Sequence, residues 1–252
     1  MRTVGVDLAA EPVNTGIAVV EWRPGTAEVV AAECPGPDEA VLRHVQGAAK
    51  LGIDCPLGWP DTFVDFLVAH RDLRPRSPDG ITNAEWRRSL ANRHTDRYVH
   101  RTLGMVPLSV ATDRIGLTAM RAASLQSLLA RHGHTIDRAG SGLLVEVYPA
   151  AGLRHWALTH RGYKGGKGRD VLGTMVDGLT RAAPWLRLGE FEKVCRNSDH
   201  VFDAVVAALL ARATALGLTT PPPAELRDAA TREGWIALPR CSLDELVEVS
   251  RR

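Results

Sequence analysis

Four cysteines, Cys34, Cys55, Cys195 and Cys241, are scattered over 252 residues with no CxxC pair among them. That spacing excludes the common zinc patterns and a disulfide framework, and a reducing compartment is expected. Long apolar runs are lacking too. The most apolar stretch, Ala204 to Ala211, stops at Arg212, far short of the ~20 residues that a bilayer span requires. No apolar segment with a small-residue cleavage site precedes the first strand-like run, so a cytoplasmic protein with no membrane partner is expected. Net charge is nearly absent: 31 Lys and Arg against 29 Asp and Glu leave +2. Affinity for nucleic acid would therefore need a local patch. The glycine-rich "RGYKGGKGRD" lacks the GxxxxGK[ST] spacing of a phosphate-binding loop. No internal repeat, low-complexity tract or Ser/His/Asp pattern is evident.

What the chain does have is an ordinary globular composition, 45% apolar and 24% charged, and enough length to bury a sizeable core. Residues 2–8, 15–22 and 26–33 are β-rich runs broken by short turns, Pro24-Gly25 among them, and predict a meander of three antiparallel strands. A helix is predicted over 38–48, then a short strand, Leu51-Gly52-Ile53-Asp54, ended by the proline-rich "CPLGWP". From 61 to about 110 the pattern loses regularity, with helices predicted over 61–70 and 83–90. Helices are also predicted over 113–131, 150–158 and 168–181, and from an N-cap at Ser198 to about Leu216. "LLVEVY", 143–148, predicts a further strand, Trp235–Leu238 a late one, and Leu243–Val249 a closing helix. The order β-β-β-α-β-α-β-α predicts a single α/β domain over 1–252, a mixed sheet covered by helices, with an insertion at about 61–110.

Four acids sit in segments whose pattern says core: Asp7 ends the first strand, Asp54 ends the fourth, Glu146 lies within "LLVEVY", and Asp203 lies in "SDHVFDAVVAALLARA". Singly, the first two are ordinary turn residues and Glu146 is a solvent-facing edge residue. Asp203, on a largely apolar helix, is hardest to account for that way. Asp199, one turn earlier, suits a helix start and is a further candidate ligand. Isolated buried carboxylates are costly, and two of them ~4 Å apart repel by about 4 kcal/mol at an effective dielectric of 20. A cluster makes physical sense with a compensating cation, and hard oxygen ligands select Mg²⁺ or Mn²⁺. Metal ligation is therefore expected of Asp7, Asp54, Asp203 and Asp199, and a ligand or water-orienting role of Glu146.

The motifs "VGVDLA…NTGIAVV", "GIDCPLGWP", "RHTDRYVHR", "VEVYPAA", "DHVFDAVVAALLARA" and "EGWIALP" occur in that order between Val4 and about Pro239. Together they resemble the family known as domain of unknown function 429, described as predicted nucleases. The resemblance implies a ribonuclease H-like fold, with three antiparallel strands and then parallel ones in a five-stranded sheet. It places Asp7, Asp54 and Asp203 in the catalytic roles, with Glu146 nearby. Cys55 stands where a small residue such as alanine is expected, which puts an oxidisable thiol beside the site.

Between Arg71 and Arg101 there are eight arginines against four acids. If "RHTDRYVHR" is helical, Arg93, Arg97 and Arg101 line one face and can grip phosphate; otherwise they form a solvated, salt-bridged surface. Lys164, with Lys167 and Arg169, offers a basic loop to a polyanion. The leading expectation is a metal-dependent nuclease or phosphodiesterase acting on nucleic acid or a phosphorylated small molecule. The alternatives are an actin-like Mg–ATP phosphotransferase and a non-catalytic nucleic-acid or protein-binding module.

Overall fold

The structure, a computed structural model, describes residues 1–74, 82–165 and 168–248. Lys167 of the expected basic loop, and Arg76 and Asp79 of the arginine-rich segment, lie outside the described residues. Strands β1 (Arg2–Asp7), β2 (Gly16–Arg23) and β3 (Thr26–Glu33) form the expected antiparallel meander. Helix α1 (Asp38–Val45) leads to β4 (Lys50–Asp54), which pairs with β1 in parallel. Helices α2 (Asp61–Arg71), α3 (Asn83–Ala91), α4 (His94–Leu103) and α5 (Gly116–Arg131) precede β5 (Leu144–Glu146), parallel to β4. The chain then runs through α6 (Pro149–His155), α7 (Arg169–Ala182), β6 (Leu186–Arg187), α8 (Glu192–Cys195), α9 (Asp199–Ala215) and α10 (Arg227–Glu233).

The sheet order is β5-β4-β1-β2-β3-β6. It is an α/β arrangement, mixed and flanked by helices, compatible with the ribonuclease H-like expectation. It has six strands rather than five, because the two-residue β6, too short to leave a periodic signal, adds in parallel to β3. Trp235–Leu238 does not form a strand. Ile236 makes one parallel bridge to Glu146, and Trp235 turns away to donate its indole N–H to the Thr220 carbonyl at 2.9 Å. Over the described part of the expected closing helix there is a single 3₁₀ turn, Asp244–Leu246, and Val249 lies outside the described residues. The 61–110 insertion is more regular than its sequence suggests. Neither α2 nor α3 buries a residue completely, and Val64, Leu67 and Val68 of α2 stay about half exposed, so no clean apolar stripe marks either helix.

Strand alternation divides the core in two. Val4, Val6, Leu51, Ile53 and Leu144 face α1 and α5, while Ala18, Val20, Val145 and Val147 face α6, α7 and α9. Helix α9 is apolar on every side because it lies between the sheet and the rest of that second layer, and residues from Val201 to Ala211 are all buried. Burying a side chain such as Phe202 or Leu209 stabilises the fold by about 1.5–3 kcal/mol. The Ser198 hydroxyl caps the helix by accepting from the Val201 N–H at 3.3 Å.

What brings α9 so near is the absence of side chains beneath it. Gly5 and Gly52 are directly paired across β1 and β4. A Cβ at Gly5 would stand 2.0 Å from the Ala204 carbonyl oxygen, and one at Gly52 would stand 2.7 Å from that of Ala207. The Thr3 hydroxyl pins the contact, donating to the Ala208 carbonyl at 3.0 Å and accepting from the Trp22 indole at 2.9 Å.

Candidate functional site

Thr3, Gly5 and Asp7 share the face of β1 that meets α9, as Gly52 and Asp54 do on β4. Asp7 and Asp54 are register partners at the carboxyl ends of these parallel strands. Asp203 lies on α9 directly before Ala204, the residue seated over Gly5. The three side chains each offer an oxygen within 4.8 Å of the others. Asp203 is fully buried, Asp7 nearly so, and Asp54 is partly open to a cleft.

The cluster carries its own partners. Tyr163 donates its hydroxyl to Asp203, 2.8 Å from Oδ1 and 3.1 Å from Oδ2. Lys164 forms an ion pair with Asp203 Oδ2. His200 Nδ1 lies 2.7 Å from Asp7 Oδ2. Burial pushes Asp203 up to about 6, helped by the charge of Asp7 and opposed by Lys164 and Tyr163. Burial and the Asp7 charge also raise Asp54 well above the usual carboxylate range. Burial alone would favour a neutral Lys164, but Asp203, Asp7 and Asp54 outweigh it and hold the ammonium charged. The hydrogen bond to Asp7 raises His200. Three hard oxygen donors at this spacing fit a small divalent cation such as Mg²⁺ or Mn²⁺, which would relieve the repulsion that raises these acids.

Glu146 does not join the three. The pleat sends it with Leu144 to the opposite face of the sheet, since its register partner is Ile53. There it meets Arg93 through two parallel hydrogen bonds of 2.7 Å, and accepts from the Leu57 N–H at 3.1 Å. Contrary to expectation, Arg93 does not share a solvated face with Arg97 and Arg101. It is 1% exposed and precedes α4 instead of lying on its outer face. Its guanidinium is filled by Glu146, by Asp96 at 2.8 Å and by the Glu233 carbonyl at 3.0 Å. Glu233 is buried beside it and accepts from the backbone N–H groups of Asp61 and His94 at 3.0 and 2.8 Å. This network ties the insertion to α10, and breaking such a buried pair costs about 3–5 kcal/mol.

Arg97 and Arg101 remain on the outer side of α4, with Arg97 Nη2 3.2 Å from His94 Nδ1. Lys164, expected to touch substrate, is spent on Asp203. Asp199 sits beside the cluster rather than in it, accepting from the Gly165 N–H at 3.0 Å. Cys55 is buried and its thiol is pushed well up, first by burial and then by the charges of Glu146 and Asp54, so it is not the reactive thiol its position suggested.

Sequence reasoning missed Tyr163 and His200. Each had a local signal: Tyr163 precedes the singled-out Lys164, and His200 stands one helical turn before Asp203. A cavity of about 230 Å³ opens beside Asp7 and Asp54, and the paired Arg93 and Glu146 line it together with Leu108, Ile115, Tyr148 and Ile236. Among the described residues no helix is long and apolar enough to cross a membrane.

No curated protein and no solved structure matches the chain. The family described as "Protein of unknown function (DUF429)" matches residues 5–227, a stretch that contains Asp7, Asp54, Tyr163, Lys164 and Asp203, and the chain belongs to that family.

Proposed function

We propose that the protein is a divalent-metal-dependent phosphodiesterase or nuclease. The observation that supports this reading is the meeting of Asp7, Asp54 and Asp203, remote in sequence, with their oxygens within 4.8 Å. These three would hold Mg²⁺ or Mn²⁺. Bound there, the ion would supply Lewis-acid stabilisation of the charge that develops as a phosphodiester is cleaved. The chain's own groups prepare the site: Tyr163 and Lys164 fix the orientation of Asp203, and His200 fixes that of Asp7. Leu108, Ile115 and Ile236 make part of the cleft wall apolar. In this reading Arg97 and Arg101 are the surviving candidates for phosphate contact.

The cavity beside Asp7 and Asp54, about 230 Å³, favours a second version in which the substrate is a nucleotide or a small phosphodiester such as a dinucleotide. It is smaller than the ~300–1,000 Å³ common for ligand sites. An actin-like phosphotransferase gains no support, since it needs two β-β-β-α-β halves and the described residues form one sheet.

The test is incubation of the protein with single-stranded, branched and hybrid nucleic acids and with a dinucleotide, with Mg²⁺ or Mn²⁺, beside Asp7→Asn. Metal-dependent cleavage lost in the variant is the expected result, and its distribution between polymer and dinucleotide chooses the version. Equal cleavage by both proteins places the activity elsewhere. Binding of nucleic acid without cleavage, intact in Asp203→Asn, points to a non-catalytic module.

A further inference from the structure

Lys164 holds a place that a nuclease reading leaves for a second cation. Asp203 is fully buried and its oxygens are already engaged, both by the Tyr163 hydroxyl and Oδ2 by the Lys164 ammonium. The ammonium sits on Oδ2, the oxygen farther from the Tyr163 hydroxyl, so it takes the one that a second ion would need. Charge points the same way, since the ammonium offsets one of the three carboxylates before any ion binds.

The lysine is positioned for this task by its neighbours. Tyr163 packs edge-on against Phe202, with ring centroids 6.2 Å apart, and the Lys164 ammonium lies 5.4 Å from the Tyr163 ring centre. Aromatic anchor and cation thus arrive as one dipeptide, on either side of the residue that α9 supplies. The Lys164 side chain is 53% exposed, so it reaches in from the surface and is not part of the core.

We propose that Lys164 is a tethered cation that takes one share of the charge demanded by the carboxylates, so that the cluster accepts a single divalent ion and not a pair. The inference rests on the metal reading above and goes beyond it in fixing the number of ions and naming the residue that limits it.

Mn²⁺ titration at pH 8, read by the paramagnetic resonance of free Mn²⁺ and by calorimetry, tests the inference without any substrate. Wild type should bind one ion per chain, Lys164→Met two. Tyr163→Phe, which removes a hydrogen bond but no charge, should still bind one. Circular dichroism establishes that each variant is folded. Two ions on wild type, one on Lys164→Met, or two on Tyr163→Phe would each overturn the inference while leaving the metal site standing. No ion on wild type would overturn both.

Discussion

At the scale of single residues, position relative to the pleat decides which acids act together. Asp7 and Asp54 face α9 and meet Asp203, whereas Glu146, one strand further, faces the other way and is neutralised by Arg93. The consequence for pH follows from the raised Asp203. Its folded pKa, about 6, lies above the ordinary carboxylate value, so the stability it contributes is full below about pH 4 and is lost as pH rises through 6. In metal-free protein, Asp203→Asn should therefore gain thermal stability relative to wild type between pH 4.5 and 7.5, as followed by circular dichroism melts. A constant difference across that range would contradict the assignment. Asp203 was legible in the sequence because a carboxylate on an otherwise apolar helix is too costly to bury without a partner or an ion. The partnership of Glu146 with Arg93 was not, since it joins residues 53 positions apart and alternation within one strand does not say which face is buried against a charge.

At the scale of elements, the site depends on how closely one helix can lie on two strands. Gly5 and Gly52 leave the backbone of β1 and β4 bare where Ala204, Ala207 and Ala208 cross it. A methyl group at Gly5 would meet backbone rather than a yielding side chain, so α9 itself would have to move. Gly5→Ala should cost roughly 1–3 kcal/mol through overpacking and should weaken Mn²⁺ binding, because lifting α9 withdraws Asp203 from its partners. Denaturant melts and a Mn²⁺ titration on the same variant check both, and an affinity equal to wild type would mean that the helix seat is not what sets the cluster. The sequence made α9 and its Ser198 cap legible through an apolar run behind a capping residue, and the three-stranded meander through its turns. It did not reveal the glycine seat, because a glycine in a strand reads equally as a bulge or a weak spot until the element lying over it is known. Nor did it reveal β6, whose two residues carry no period.

At the scale of the whole molecule, a ligand that binds only the folded chain must stabilise all of it. Mn²⁺ at a hundred times its dissociation constant is worth about 2.7 kcal/mol, which for a chain of this size raises Tm by roughly 5–10 °C. Wild type should show that shift and Asp7→Asn should not; identical melting of the two with and without metal would remove the ion from the account. The α/β architecture was legible from the alternation of patterns along the chain and the parallel pairing of its later strands from the family resemblance, while the packing of the 61–110 insertion depended on Arg93, Asp96 and Glu233, whose joint role no local pattern announces. The two ends of the sheet carry a last consequence. One border strand, β6, is only two residues long; the other, β5, has three and is partly covered by Ile236 and by the Ala237 N–H, which donates to Glu146. β6 covers β3 only at Ala27 and Glu28, and β3 runs on to Glu33 with no further strand on that side among the described residues. In crowded solution, ribbon-to-ribbon contact between copies of this molecule should begin along that stretch of β3, and a charged side chain placed there should suppress it.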